Sequence, residues 1–172
     1  MSEKRIELGA EFPHGDTLQL VVLILFFAVW GLDSLVFQFS TFLAIFVPII
    51  VRLVLAAVSF GFALLLLILS HRMVFDRTRE SLGVLDTGVY GRVRHPMYLG
   101  TLLVYVGFIL ATFSLLSFVV WIGIFLFYDR MATYEEEDLI RLLGDAYRDY
   151  RKNVPKWLPR IREQTKRKSP GR

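Results

Sequence analysis

Thr17 to Leu32 carries no charged residue, and beyond Asp33 the apolar character continues to Phe39. A membrane-spanning helix needs roughly 20 predominantly apolar residues. The pattern therefore predicts a first span over 17–36, with Asp33 near its far end. A second apolar run, Phe42 to Leu69, is interrupted by Pro48 and Arg52. It exceeds one bilayer crossing, so it is expected to tilt, to kink at Pro48, or to let Arg52 reach the far interface. The third run, Pro96 to Tyr128, is again free of charge. As a single helix it would reach about 50 Å. A tight hairpin of two short helices turning near Ala111 to Ser114 is expected instead, which brings the spans to four.

The pattern changes after Tyr128. Leu139, Leu142, Leu143, Ala146, Tyr147 and Tyr150 recur at intervals of three and four, one face of a helix. Arg141, Asp145, Arg148 and Lys152 take the other face, and Gly144 interrupts the pattern mildly. This predicts an amphipathic helix lying against the membrane surface or the loop above the bundle. The stretch VPKWLP ends it, with Trp157 suited to a membrane interface.

Composition agrees with this reading. Of the 172 residues 55% are hydrophobic and the mean hydropathy is +0.51, too apolar for an ordinary soluble domain. The fold class expected is all-α: a polytopic transmembrane bundle of about four spans, with a cytoplasmic loop and a C-terminal amphipathic helix. One integral-membrane domain over 1–172 divides into the first two spans (17–70), a loop (71–95), a helical hairpin (96–130), and a C-terminal helix with a basic tail (131–172). The absence of cysteine excludes disulfides and thiolate chemistry. His14, His71 and His95 show no metal-ligand spacing, so no metal site is expected. The N-terminus is acidic and mixed, without a small-residue cleavage site, and does not read as a removable signal peptide.

Charge sets the expected orientation. Arg72, Arg77, Arg79, Arg92 and Arg94 lie between His71 and His95, and the tail from Arg151 onward is dense in Lys and Arg. The opposite loops, near Gln38 and Thr112, hold none. The positive-inside rule places the arginine-rich loop, the tail and, with four spans, the N-terminus on the cytoplasmic side.

Two stretches carry candidate chemistry. In GVYGRVRHPMYLG, residues 88–100, Pro96 precedes a helical run and marks its first turn, with His95 at or just before the cap. The unpaired N–H groups of Met97, Tyr98 and Leu99 then face the loop, where they attract an anion such as a carboxylate. Arg92 and Arg94 reinforce that field, and Gly83, Gly88 and Gly91 let the loop approach a ligand closely. The alternative is a basic flanking loop that only sets topology. In YEEEDL, residues 134–139, Glu135 and Glu136 lean toward the buried stripe and Glu137 toward water. Two inward acids need a cation: Arg92, Arg94 or Arg130, or a ligand ammonium. Together the stretches suit a small zwitterion, with Tyr90 and Tyr98 available to stack or hydrogen-bond.

TGVYGRVRHPMYLG, followed by EEEDLIRLLGDAYRDYRKNVPKWLP, resembles the isoprenylcysteine carboxyl methyltransferase family and its phospholipid N-methyltransferase relatives. Residues 82–159 carry the resemblance, and residues 17–70 share only hydrophobicity. The resemblance implies an integral-membrane methyltransferase that uses S-adenosylmethionine without a Rossmann domain. Carried over by position, the cofactor contacts are Leu82, Gly83, Val84, Leu85, Tyr90, His95, Pro96, Met97, Tyr98 and Glu135. Carboxyl-methylating members place an arginine four residues before this glutamate. Here Met131 stands there, with Arg130 one step earlier and rotated by about 100°.

The mechanism then expected is in-line displacement from an activated donor, in which the protein positions the reactants and excludes water. Arg130 is the candidate to orient an acceptor carboxylate. Glu136, or a water, is the candidate to take a proton from an amine acceptor. The acceptor is expected to be a lipid or prenylated small molecule, entering between helices from the bilayer, with a prenylcysteine-type carboxylate favoured. The alternatives are a phospholipid amine acceptor, or a non-catalytic protein that docks a partner or anionic lipid. No nucleic-acid partner is expected.

Overall fold

The computed structural model describes residues 15–74 and 83–159. Leu82, Arg77, Arg79 and the tail beyond Pro159 lie outside them. The described residues form five α-helices and no strand: α1 (Gly15–Gly31), α2 (Ile49–Val74), α3 (Pro96–Thr112), α4 (Leu115–Leu143) and α5 (Asp145–Asn153). The all-α bundle expected from the pattern is the fold found. Three segments are long and apolar enough to cross a membrane: Gly15–Phe37, Ile49–Val74 and Leu115–Leu143. The fourth, α3, has 17 residues and spans about 26 Å, at the lower limit for a bilayer's hydrocarbon. The protein is an integral membrane protein.

α1 runs into a π-helical turn, Leu32–Phe37, which ends at Gln38 with φ 51°. A 3₁₀ turn, Phe42–Phe46, then leads to Pro48. Of the outcomes expected for the second run, a kink at Pro48 is not the one adopted. Pro48 instead precedes α2, and the Arg52 N–H donates to its carbonyl. Proline is favoured at a helix start because its missing N–H has no intrahelical acceptor there anyway.

The hairpin forms where expected. α3 ends at Thr112, Phe113 adopts φ 55°, and Ser114 caps α4 by accepting from the Ser117 N–H at 3.0 Å. That cap satisfies a donor at the far membrane face, where the helix offers it no partner. Ser114 and Ser40 both donate to the buried Asp33 carboxylate, and the Ser40 N–H donates to it at 2.9 Å. Ser40 Oγ also accepts from the Leu116 N–H at 2.9 Å. Asp33 thus ties the end of α1 to the α3–α4 turn.

Between the membrane faces, Phe26, Leu102, Tyr105, Ile109, Ile124 and Tyr128 form the core shared by α1, α3 and α4. α2 instead lies close on α3. A Cβ at Gly100 would meet the Leu67 side chain at 2.9 Å, and one at Gly107 the Phe60 ring at 2.5 Å. Buried Ala56, Ser59, Ala63 and Ser70 line the α2 side, and Ser59 Oγ donates to the Leu103 carbonyl at 2.8 Å. Lipid gives no hydrophobic drive for helix association, so small residues that admit close backbone contact supply it through van der Waals packing.

At 29 residues α4 outruns the bilayer and carries the acidic stretch beyond the apolar core. The break after it falls at Gly144, with φ +60°, so the expected division at residue 131 lies inside one continuous helix. The positive φ also resets the register of α5. Tyr147 and Tyr150 are buried with Val154 against Val84, Leu139, Ile140 and Leu143. Leu142 and Ala146, expected in the same stripe, are exposed instead. α5 therefore packs on the loop above the bundle, one of the two surfaces expected for it.

Candidate functional site

Thr87 to Val93 forms a compact turn, closed by bonds from the Gly91 N–H to the Thr87 carbonyl and from the Val93 N–H to the Val89 carbonyl. Gly88 takes φ +56°, where a Cβ would strike Met73 Sδ at 2.7 Å, and a Cβ at Gly91 would meet the Asp86 carbonyl at 2.6 Å. These two glycines serve the turn and its packing on α2. Val93 is buried beyond the turn, Arg94 follows, and His95 caps α3 with Pro96 at its first position.

The Arg94 guanidinium joins three segments. Its Nε donates to Glu136 Oε1 at 2.8 Å and its Nη2 lies 3.4 Å from Oε2. Its Nη1 donates to the Arg151 and Val154 carbonyls at 2.8 and 2.7 Å, and its own N–H donates to the Pro155 carbonyl at 3.0 Å. One planar, forked cation thus fixes the cap of α3, the flank of α4 and the end of α5, a geometry lysine cannot copy. Tyr150 adds a bond from its hydroxyl to the Tyr90 carbonyl at 2.7 Å. Burial raises the phenol pKa values of Tyr147 and Tyr150 above their ordinary range, because a phenolate would be poorly solvated there.

Glu136 is 1% exposed. Besides Arg94 it meets His95 Nε2 at 3.0 Å and Arg151 Nε at 3.3 Å. A carboxylate this deep is tolerable because its lone pairs are matched by cationic and hydrogen-bond donors. Glu135 differs: its side chain is 29% exposed. It accepts a hydrogen bond from the Tyr98 hydroxyl and lies 3.8 Å from His95 Nδ1. The His95 and Tyr98 rings lie parallel, within 4°, with centroids 5.7 Å apart. His95 therefore stands between the two adjacent glutamates, one ring nitrogen toward each.

Of the partners the sequence offers for the inward acids, the structure selects Arg94; Arg92 and Arg130 are exposed. Met131 is 4% exposed in the core and lies 3.8 Å from Gln19 Nε2. The start of α1 also reaches this end of the bundle. The Tyr128 hydroxyl donates to Gln19 Oε1 at 3.4 Å, and Asp16 adds to the negative field at Tyr98. The sequence pattern credits the first span with hydrophobicity alone. Gln19, a lone polar residue inside an apolar run, is the signal that points further.

A second anchor lies on the same flank of α4. Lys156 Nζ donates to Asp129 Oδ1 at 2.6 Å and to the Thr133 hydroxyl at 2.7 Å, and Trp157 Nε1 donates to Asp129 Oδ1 at 2.8 Å. The VPKW stretch, expected as an interfacial stop, is thereby a strap across α4.

Taken together, the loop from Gly83, the start of α3 and the acids of α4 meet at one end of a membrane bundle. The model of the phospholipid methyltransferase family matches residues 73–146. The family resemblance drawn from the motifs holds over this segment. The chain is 37% identical over 97 residues to the Protein-S-isoprenylcysteine O-methyltransferase of Schizosaccharomyces pombe, covering 54% of this chain and 39% of that one. It is 36% identical over 74 residues to the Methanethiol S-methyltransferase of Pseudomonas deceptionensis, covering 43% of this chain and 28% of that one. The chain thus spans well under half the length of either relative. No solved structure matches it.

Proposed function

We propose that this protein is an integral-membrane methyltransferase that moves a methyl group from S-adenosylmethionine to an acceptor presented by the bilayer, a prenylcysteine-type carboxylate first among them. The observation that carries the reading is the family match over residues 73–146 together with the meeting of Tyr98, His95 and Glu135 within it. The names of the two relatives extend the acceptor from oxygen to sulfur, and the family's name to phospholipids. A phospholipid amine is accordingly the second reading.

The donor set suits the cofactor's charges. A zwitterionic amino-acid end needs hydrogen-bond donors for its carboxylate, which the first turn of α3 offers at Met97 and Tyr98. It also needs an acid for its ammonium, and the partly exposed Glu135 is that acid. Gly83, Val84, Leu85, Tyr90 and Pro96 complete the described contacts carried over by resemblance. S-adenosylmethionine, when bound, supplies an already activated methyl group. The residues of this chain therefore need chiefly to hold, orient and keep water away. Glu136, saturated by two guanidiniums and His95, takes a positioning role in this reading, in place of the proton-accepting one expected from sequence. Arg130, exposed near the interface, remains the cation to orient an acceptor carboxylate. With the orientation expected from the arginine-rich loop, this end of the bundle faces the cytoplasm.

Labelled S-adenosylmethionine incubated with the purified protein and either a farnesylcysteine analogue or phosphatidylethanolamine tests the reading. Label that alkali releases as methanol marks an ester, and alkali-stable label an N-methyl group. Absence of transfer to either acceptor, with no calorimetric binding of S-adenosylhomocysteine, would overturn it.

A further inference from the structure

The membrane face opposite the His95–Glu135 cluster holds a cavity of about 530 Å³, lined by Ser34, Gln38, Thr41, Phe42, Ile45 and Arg52 among others. Arg52 lies on the first turn of α2, about 5 Å from its start. Its Nε is buried and has no hydrogen-bond partner. Its Nη1 makes one long contact, 3.4 Å, to the Ala111 carbonyl. Among the described residues Arg52 forms no ion pair within 4 Å. The acid at this end, Asp33, is already taken by Ser40 and Ser114. A guanidinium near the bilayer without a counter-charge is costly, and one donor left unbonded adds to that cost. Ser34 and Thr112 bond to each other at 3.0 Å, and the cavity's other polar edge, Gln38 and Thr41, is nearer solvent. The space is polar, cationic and open to the interface.

We infer that this cavity is a phosphate-binding site, filled by the phosphodiester of a phospholipid from that leaflet, with Arg52 as the charged donor. A guanidinium fork matches phosphate oxygens through paired N–H bonds. Phe42 and Ile45, exposed beside the opening, suit the first segment of an acyl chain. The site lies at the other end of the bundle from the proposed methyl-transfer centre and does not depend on that reading.

Full-length protein in nanodiscs of phosphatidylglycerol is extracted into detergent, and the phospholipid that resists extraction is counted by native mass spectrometry. One retained phospholipid per protein is expected for the wild type, with at least tenfold less for Arg52→Gln. Ala44→Trp puts bulk into the cavity while leaving Arg52 in the sequence, and is expected to lose the lipid equally while helicity stays at the wild-type level. Inorganic phosphate at millimolar concentration separates the sources. Displacement of the lipid by phosphate assigns the site to the phosphate group alone, and no displacement assigns it to the intact lipid. Equal retention by wild type and Ala44→Trp overturns the inference, even if Arg52→Gln fails to fold.

Discussion

The two ends of the bundle handle buried charge in opposite ways. At the His95 end, unlike charges meet: Glu136 is enclosed by Arg94, Arg151 and His95, and the strap returns Lys156 to Asp129. At the Arg52 end, the acid and the base stand apart. Asp33 is satisfied by neutral hydroxyls and an amide, and Arg52 keeps an unbonded donor. A fully matched ion cluster fixes geometry and leaves little to offer a ligand. Arg52, with a buried donor left without a partner, is the group on which the proposed lipid site rests.

The largest loss of stability is expected at Glu136. Glu136→Ala leaves Arg94 without its counter-charge and should destabilise the fold by about 3–5 kcal/mol, read as early thermal unfolding in detergent. A wild-type melting curve would refute the view of that cluster as the organiser. Arg94→Lys keeps the charge but not the fork, and should lose about 1.5–3 kcal/mol by the bonds to Glu136 and the carbonyls. Gly107→Ala tests the close contact of α2 on α3, because the new methyl must displace Phe60. A loss of about 1–3 kcal/mol is expected, and an unchanged melting temperature would show that the contact is slack. Ser114→Ala removes a cap and a donor to Asp33, for about 1 kcal/mol. Tyr98→Phe should change stability least while weakening S-adenosylhomocysteine binding severalfold in calorimetry. If it destabilises as strongly as Glu136→Ala, Glu135 belongs to the structural cluster and the contrast between the two glutamates fails.

The hairpin at Thr112–Ser114 and the inward lean of Glu135 and Glu136 are legible in the sequence, because helical periodicity and turn residues are local properties. Residue spacing misplaces Ala146, because a positive φ at Gly144 resets the register before α5; Leu142 lies ahead of that break, outside the inward face that α4 forms with Leu139, Ile140 and Leu143. Gly88 and Gly91 read in the sequence as places where the backbone needs room, and the fold shows Met73 and the Asp86 carbonyl filling it. A sequence shows that a glycine is needed but not which atom stands beside it.

Hydropathy and motif spacing are enough to give a helical membrane bundle, its hairpin at Thr112–Ser114 and a motif pair at one end. Hydrophobicity, charge asymmetry and motif spacing are written in one dimension. Only the tertiary structure decided that Arg94, rather than Arg92 or Arg130, meets Glu136; that Gln19 reaches Tyr128; and that Asp33 and Arg52 do not neutralise each other. Those pairings depend on how distant helices rotate and close on one another, which is set by packing at positions such as Gly100 and Gly107.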